Sequence, residues 1–249
     1  MSIWVWIIAA IVLLILALLI IGLQRKHVDR KLSFTGIEDN EAVRAYDRIS
    51  RWPQFEAIRQ LVICELGKYK PKGVIADIGC GPGYLIHTLA RSFLDVSVVG
   101  VDISEEMVQK ATQNLLALGF SDRVTFRKGD IEALPFDTNL LDFAVSTLSL
   151  HHWSDPKQAL REIHRVLKPG GQFLIFDVRR DSWRVMYWLM RFAQRFIIPS
   201  PMRRINEPTN SLLAGYIPAE MKAILSASPF KQYRIKPGIW WLFIWGRKD

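Results

Sequence analysis

The stretch from Val74 to Tyr84, Val-Ile-Ala-Asp-Ile-Gly-Cys-Gly-Pro-Gly-Tyr, constrains this chain more than any other. Val74 to Ile78 is a short apolar run of the kind that forms a parallel strand buried on both faces. Gly79, Gly81 and Gly83 then alternate through a tight loop, where the missing Cβ atoms let backbone approach a ligand and adopt positive φ. Leu85, Ile86, Leu89 and Phe93 follow at helical spacing. Strand, glycine loop and helix open a nucleotide-binding βαβ unit. The loop is not the dinucleotide fingerprint, because G-x-G-x-x-G would need glycine where Tyr84 stands. It also lacks the Lys-Ser/Thr pair of a P-loop.

Asp77 precedes the first glycine by two positions. An acid there repels a diphosphate and suits a ligand that carries an ammonium and a sulfonium. The pattern D-x-G-x-G-x-G resembles motif I of the class I S-adenosylmethionine-dependent methyltransferases. Taken alone, the loop also fits a glycine-rich turn in some other α/β domain. The resemblance implies that Gly79, Gly81 and Gly83 let the methionine portion of the cofactor approach, with Asp77 near its ammonium, directly or through water.

The chain continues in the order this resemblance requires. Val96 to Val101 reads as a second strand ending in Asp102, an acid placed to accept from both ribose hydroxyls, as in NAD enzymes too. Ser104 is a good N-cap for the next helix, with Glu105 and Glu106 in its first turn. Met107 on that helix is either an adenine contact or ordinary core. Val124 to Lys128 is a third strand, followed by Gly129-Asp130-Ile131. By resemblance Asp130 accepts from the adenine amine, and Ile103 and Ile131 sandwich the ring. Leu141 to Ser146 is strand four, next to strand one across the switch point, and Ser146 joins the residues expected around the cofactor. Tyr46, in a helical stretch from Glu41 to Leu66 that Pro53 restarts, closes over the cofactor or simply packs its helix on the sheet.

The loop Thr147 to Trp153 lies beside the transferred methyl in this scheme. It carries His151 and His152, either of which can serve as a base toward the acceptor or as a packing residue. His87 and His164 read as structural. A helix from Asp155 to Leu167, the stop Lys168-Pro169-Gly170-Gly171 and a strand from Gln172 to Val178 complete a run that resembles the quinone- and sterol-type C-methyltransferase subgroup. That resemblance is good over residues 74–178 and loose beyond. Asn206 to Tyr216 reads as a loop over the site, Pro218 to Ser226 as a helix, and Phe230 to Lys236 with Ile239 to Trp245 as a hairpin. Trp240, Trp241 and Trp245 are assigned to the core and sheet faces. The implied fold is a Rossmann-like α/β domain with a seven-stranded, mostly parallel sheet in the order 3-2-1-4-5-7-6 and helices on both faces.

Two further segments concern the membrane. Ile3 to Leu23 has no charged residue and would be about 31 Å long as a helix, against a bilayer core of about 30 Å. Trp4 and Trp6 lie near one end, and Arg25, Lys26, Arg30 and Lys31 follow the other. A cleavable signal would place the charge first. The expectation is a transmembrane helix over 3–23, a juxtamembrane linker over 24–40 and a methyltransferase domain over 41–249 on the cytoplasmic side. Within that domain, 182–216 is expected as a lid or as a basic amphipathic helix at the membrane interface, since Arg184, Arg191 and Arg195 share a side rich in neighbouring aromatics. The net charge of +9 is concentrated beside these two apolar segments, which favours acidic lipid over nucleic acid. Cys64 and Cys80 form no disulfide framework, and no residues have metal-ligand spacing.

The function expected from these features is methyl transfer from S-adenosylmethionine to a hydrophobic or lipid-like acceptor at a membrane. Two alternatives stay open at this stage. One is a methyltransferase acting on a soluble small molecule or a protein. The other is a non-catalytic, membrane-tethered adapter that keeps the fold.

Overall fold

The computed structural model describes residues 3–33, 37, 39–116 and 122–249 and, within the first helix, the side chains at 4, 6–8, 11–13, 16–17 and 20–22. The apolar runs form seven strands: β1 (Gly73–Ile78), β2 (Val96–Asp102), β3 (Val124–Lys128), β4 (Leu141–Thr147), β5 (Leu167–Val178), β6 (Gln232–Pro237) and β7 (Trp241–Arg247). They make one sheet in the order β3-β2-β1-β4-β5-β7-β6, with β7 antiparallel to both of its neighbours and the other pairs parallel. The order is the one implied by the sequence. It reverses between β1 and β4, so a crevice opens beyond their carboxyl ends.

Strand side chains alternate between two apolar layers, which is why the strands read as continuous apolar runs. Ile75, Phe143, Val145, Leu174, Phe176 and Phe243 face one layer with α3 (Pro53–Gly67) and α4 (Tyr84–Ser92). Ala76, Ala144, Phe173, Ile175, Leu242 and Ile244 face the other with α6 (Pro156–Val166) and α10 (Pro218–Ser226). Caps follow the sequence logic. Ser104 Oγ accepts from Met107 N at 3.2 Å and starts α5 (Glu105–Leu116), and Asp155 accepts from Lys157 N and Gln158 N at the start of α6.

Three expectations need correction. Lys168 to Gly171 was expected only to stop a helix, but these residues begin β5. Gly170 N donates to Lys248 O at 3.0 Å and Lys248 N to Gly171 O at 2.9 Å, so the chain terminus recruits the turn as sheet. Asn206 to Tyr216 is not all loop, since it contains α9 (Thr209–Ala214), preceded by α8 (Ser200–Arg204). The juxtamembrane segment is a strap as far as it is described. Arg30 Nε donates to Ala214 O at 2.7 Å, Lys31 N to Leu213 O at 3.1 Å and Arg180 Nε to Val28 O at 2.9 Å. Residues 34–36 and 38 of that segment lie outside the described residues.

The first helix, α1, runs Ile3–Gly22, close to the expected span, with Trp4, Trp6, Leu13 and Ile20 exposed. Among the described residues no helix is long and apolar enough to cross a membrane, so the structure lends the expected transmembrane helix no support. The end of α1 docks on α7 (Arg184–Phe196). A Cβ on Gly22 would lie 3.2 Å from Trp188, and Arg184 N donates to Gln24 O at 2.9 Å.

Phe176 is fully buried and packs edge-on against Trp240 and Phe243. Phe176→Ala should destabilise the protein by about 3–5 kcal/mol in urea unfolding. A loss below about 1 kcal/mol would mean that this layer can collapse around the cavity.

Candidate active site

A cavity of about 550 Å³ opens beyond the carboxyl ends of β1 and β4. Its floor is the glycine loop. Gly79 N and Cys80 N donate to Val101 O at 2.8 and 3.0 Å, which pulls the loop against the end of β2. Gly79 has φ +74°, and a Cβ there would fall 2.2 Å from Ser149 Oγ. Gly83 has φ +84° as it enters α4, and a Cβ would crowd Ala111 and Phe126 at 3.1 Å. Both positions therefore require glycine. Gly81 lies on the cavity wall, and its N–H donates to Asp102 Oδ2 at 2.8 Å. Asp102 Oδ1 accepts from Ser104 N at 3.0 Å. Burial raises the pKa of Asp102 against these two hydrogen bonds.

Ile103, Met107, Gly129, Asp130 and Ile131 line the adjoining wall. Asp130 Oδ1 accepts from Glu132 N at 2.9 Å, which fixes the turn after β3. Tyr46, on α2 (Asn40–Ile49), crosses above the loop with Cε1 3.5 Å from where a Cβ of Gly81 would stand. Its hydroxyl is pushed up to about 12 by burial and by the charges of Asp102 and Glu207.

The opposite end is different chemically. The chain leaves β4 through Leu148, which has φ +55° and is pinned by its N–H to Phe176 O at 2.8 Å. A non-glycine residue in this region carries about 1–3 kcal/mol of strain, a feature that gathers at functional sites. Leu150 to His152 form a short 3-10 turn. His151 is 2% exposed, and its Nδ1 is 2.7 Å from Asp177 Oδ1. Asp177 also accepts from the backbone of His151 and Val178 at 2.9 and 2.6 Å. Burial pushes the His151 imidazolium down, and the Asp177 carboxylate outweighs it, so the pKa is raised overall. His152 lies beside it, ring centres 4.0 Å apart, with its pKa lowered to about 3 by burial and then by His151. Its Nδ1 is 3.4 Å from Ser33 O. Met186, Met190 and Ala193 of α7, with Ile198, Met202 and Leu212, add apolar side chains to the cavity lining, which also includes Glu207 and Trp240.

Comparison with known proteins bears on what this cavity serves. Residues 76–175 match the family model described as a methyltransferase domain. The chain is 26% identical over 200 residues to the ubiquinone/menaquinone biosynthesis C-methyltransferase UbiE of Blochmanniella pennsylvanica, covering 76% of each. It is 31% identical over 161 residues, 59% of its length, to the biotin biosynthesis bifunctional protein BioHC of Teredinibacter turnerae, of which it spans only 28%. A crystal structure of a putative S-adenosylmethionine-dependent methyltransferase from Methanococcus maripaludis superposes with TM-score 0.66 at 24% identity, over 90% of this chain and 98% of that one. Residues 76–175 thus match a methyltransferase domain, and the fold over most of the chain is that of solved methyltransferase structures.

The methyltransferase cavity brings together Gly79, Gly81, Asp102, Ile103, Asp130, Ile131, Tyr46, His151 and His152 from the residues expected in the sequence. Gly83 supports the loop from behind. Ser146 does not line the cavity. Its Oγ donates to Ile78 O at 2.7 Å and ties β4 to β1, so it leaves the cofactor set. Trp240, assigned to core, does pack against it, and it also forms part of the wall. Asp177 and Glu207 escaped sequence reading, and neither has a local signal: one is the acid near the end of β5, the other precedes a proline between two short helices.

Asp77 is 1% exposed, does not line the cavity, and has Oδ1 without a partner. Burial, and then the charge of Asp102, pushes its pKa up to about 8. An orphaned acid beside a second acid, behind a backbone cradle with no room for Cβ atoms, fits a cationic ligand such as S-adenosylmethionine. Because the folded value lies above the ordinary 3.8, stability contributed by Asp77 is full below about pH 4 and declines as pH rises through about 8. Asp77→Asn should therefore stabilise the ligand-free protein by an amount that grows over this window. Thermal unfolding at a series of pH values checks it, and parallel curves for the two proteins would refute it.

Proposed function

We propose that this protein transfers a methyl group from S-adenosylmethionine to a hydrophobic acceptor drawn from a membrane. The observation that carries the reading is one cavity whose lining joins glycines and acids, Gly79, Gly81, Asp102 and Asp130, to apolar side chains of α7, Met186, Met190 and Ala193. S-adenosylmethionine, when bound, supplies a methyl already attached to a sulfonium, so the protein's task is alignment, in principle worth about 7–11 kcal/mol.

In this reading the backbone at Gly79 and Gly81 lies against the methionine portion, and Asp77 balances its ammonium from behind the loop. Asp102 still has lone pairs free after accepting from Gly81 and Ser104, and these take the two ribose hydroxyls. Ile103, Met107 and Ile131 enclose the adenine, Asp130 accepts from its amine, and Tyr46 covers the site from above.

The membrane part of the proposal rests on α1 and α7. No charged residue occurs between Ile3 and Leu23, and the described large side chains of α1 are exposed. On α7, Met186, Met190 and Ala193 face the cavity, while Trp188, Leu189, Phe192 and Phe196 are exposed. Beside them Arg25, Lys26, Arg184 and Arg191 line a hollow of about 420 Å³ at the junction of the two helices. Aromatics interleaved with basic side chains suit an interface with anionic lipid. In this reading the basic flank after α1 supports a catalytic domain on the cytoplasmic face.

Three measurements test this. Asp102→Ala removes hydrogen bonds to a charged acceptor, each worth about 1.5–3 kcal/mol, so calorimetry should show S-adenosylmethionine binding weakened about a hundredfold. Unchanged affinity would contradict the ribose assignment. With methyl-labelled S-adenosylmethionine and bacterial membrane extract, label should pass into the organic phase. Label found only in water-soluble products would sink the lipid acceptor. The full chain should also sediment with phosphatidylglycerol vesicles.

A further inference from the structure

The hollow where α1 meets α7 shares no lining residue with the methyl-transfer cavity. Its volume of about 420 Å³ falls in the range of small-ligand pockets, about 300–1,000 Å³. Arg25, Lys26, Arg184 and Arg191 line it together with His27, and no acidic side chain does. Among the described residues none of these four cations forms an ion pair with an acid. Asp181, three residues before Arg184, is held by Arg179, which donates to both of its carboxylate oxygens at 2.7 Å. Arg25 Nη1 donates to the backbone carbonyl of Asp181 instead, at 3.0 Å. Like charges gathered without a counter-charge repel one another, and an anion between them removes that repulsion.

The two sides of the hollow are fixed to each other by backbone. Lys26 N donates to Ser182 O at 3.0 Å and Arg184 N to Gln24 O at 2.9 Å, and Arg25 pairs antiparallel with Trp183. The Lys26 ammonium lies 4.1 Å from the ring centre of Tyr187, which is 4% exposed and donates its hydroxyl to Arg180 O. Arg184, Trp188 and Arg191 recur along α7 at i, i+4 and i+7, so one face carries guanidinium, indole and guanidinium. Guanidinium forks match phosphate oxygens with paired hydrogen bonds. The neighbouring positions are apolar and exposed: Ile20, Ile21 and Leu23 before the hollow, and Leu189 and Phe192 next to Trp188 and Arg191.

We propose that this hollow is a discrete binding site for the phosphate of an anionic phospholipid. Arg184 and Arg191 fork onto its oxygens, Arg25 and Lys26 complete the positive wall, and the acyl chains lie against the exposed apolar side chains of α1 and α7. This rests on the membrane part of the reading above and adds to it which group of the lipid is held, and by which residues. Charge complementarity selects the class. A neutral lipid offers nothing to four unpaired cations, and a free phosphate leaves the flanking apolar surface uncovered. Helix α7 is shared between the two sites, since Tyr187 and Trp188 line the hollow while Met186 and Met190 line the cavity. The lipid and the methyl acceptor are therefore held by neighbouring residues of one helix.

The test is calorimetry on the full chain in dodecyl maltoside micelles, titrated with phosphatidylglycerol. The wild type should bind it saturably, and diacylglycerol, which lacks the phosphate, should not compete. Arg184→Gln and Arg191→Gln should each weaken binding about fivefold, the worth of one basic residue facing an anionic lipid. Arg195→Gln makes the same charge change one turn further along α7 but outside the hollow, and it should leave the affinity unchanged. All three side chains are exposed, so the unfolding temperature in lipid-free micelles should not move. Equal losses from Arg191→Gln and Arg195→Gln, or competition by diacylglycerol, would overturn the discrete site. Inorganic phosphate should displace the lipid only weakly, and displacement by phosphate at the lipid's own concentration would overturn the lipid as its source. A wild type that sediments with phosphatidylglycerol vesicles yet binds none saturably in micelles also overturns the site, and leaves the membrane reading standing. A wild type that does neither brings down the membrane reading itself.

Discussion

Much of the architecture is tied together at one carboxylate. Asp102 ends β2, accepts from Gly81 on one side and from Ser104 on the other, and so joins the loop after β1 to the first turn of α5. The carbonyl of Val101 reinforces this through Gly79 and Cys80. The glycine loop is thus positioned by the neighbouring strand as much as by its own. The wall formed by Ile103 and Met107 cannot move without moving the loop. The cost is electrostatic. Asp102 and Asp77 are both desolvated, which raises the pKa of both, and the charge of Asp102 raises that of Asp77 further. A cavity so arranged is better satisfied with a cation in it than without one.

The other end is built on the opposite principle. There the buried acid, Asp177, is saturated by donors, while His151 Nε2 and Glu207 Oε1 are buried without a partner. Leu148 and the apolar side chains of α7 line the same cavity. The strained backbone at Leu148 turns the chain sharply enough to place the histidine turn beside the glycine loop, and Ser149 Oγ fills the space that a Cβ at Gly79 would need. Strain at one residue and the absence of a side chain at another are two parts of one contact.

Legibility in the sequence follows this division. The sheet order, the glycine loop, Asp102, Asp130 and the isoleucines around them depend on local pattern: apolar run, turn, helix spacing, each within about thirty residues of one βαβ unit. Such signals can be read from a single chain. Asp177 and Glu207 cannot, because what makes each of them part of the site is a partner or a wall brought from elsewhere in the chain. Trp240 was read as core because its neighbours in sequence, Trp241 and Trp245, are sheet-face residues: Trp245 stacks on Tyr69 and Trp241 packs on Phe243. Trp240 precedes β7, where strand alternation has not yet begun to govern direction. Ser146 failed for the converse reason. A small polar residue at a strand end has neighbouring backbone to bond, and Ser146 Oγ donates to Ile78 O.

The segment after α1 illustrates how attachment and chemistry are coupled. From the sequence, 24–40 is expected to be a linker. In the folded chain Arg30 lies over the ring of Tyr216 at 3.9 Å, donates to Ala214 O and reaches the carbonyl of His151 itself. Lys26 donates to Ser182 O, and its ammonium sits over Tyr187. A chain pinned at both α7 and the histidine turn cannot act as a loose tether. Whatever surface α1 engages, the cavity is presented to it in a fixed orientation, with the exposed aromatics of α7 alongside. For an acceptor that partitions into lipid, a fixed approach is of more use than reach, because the acceptor is already concentrated in a plane and needs only to leave it in the right direction.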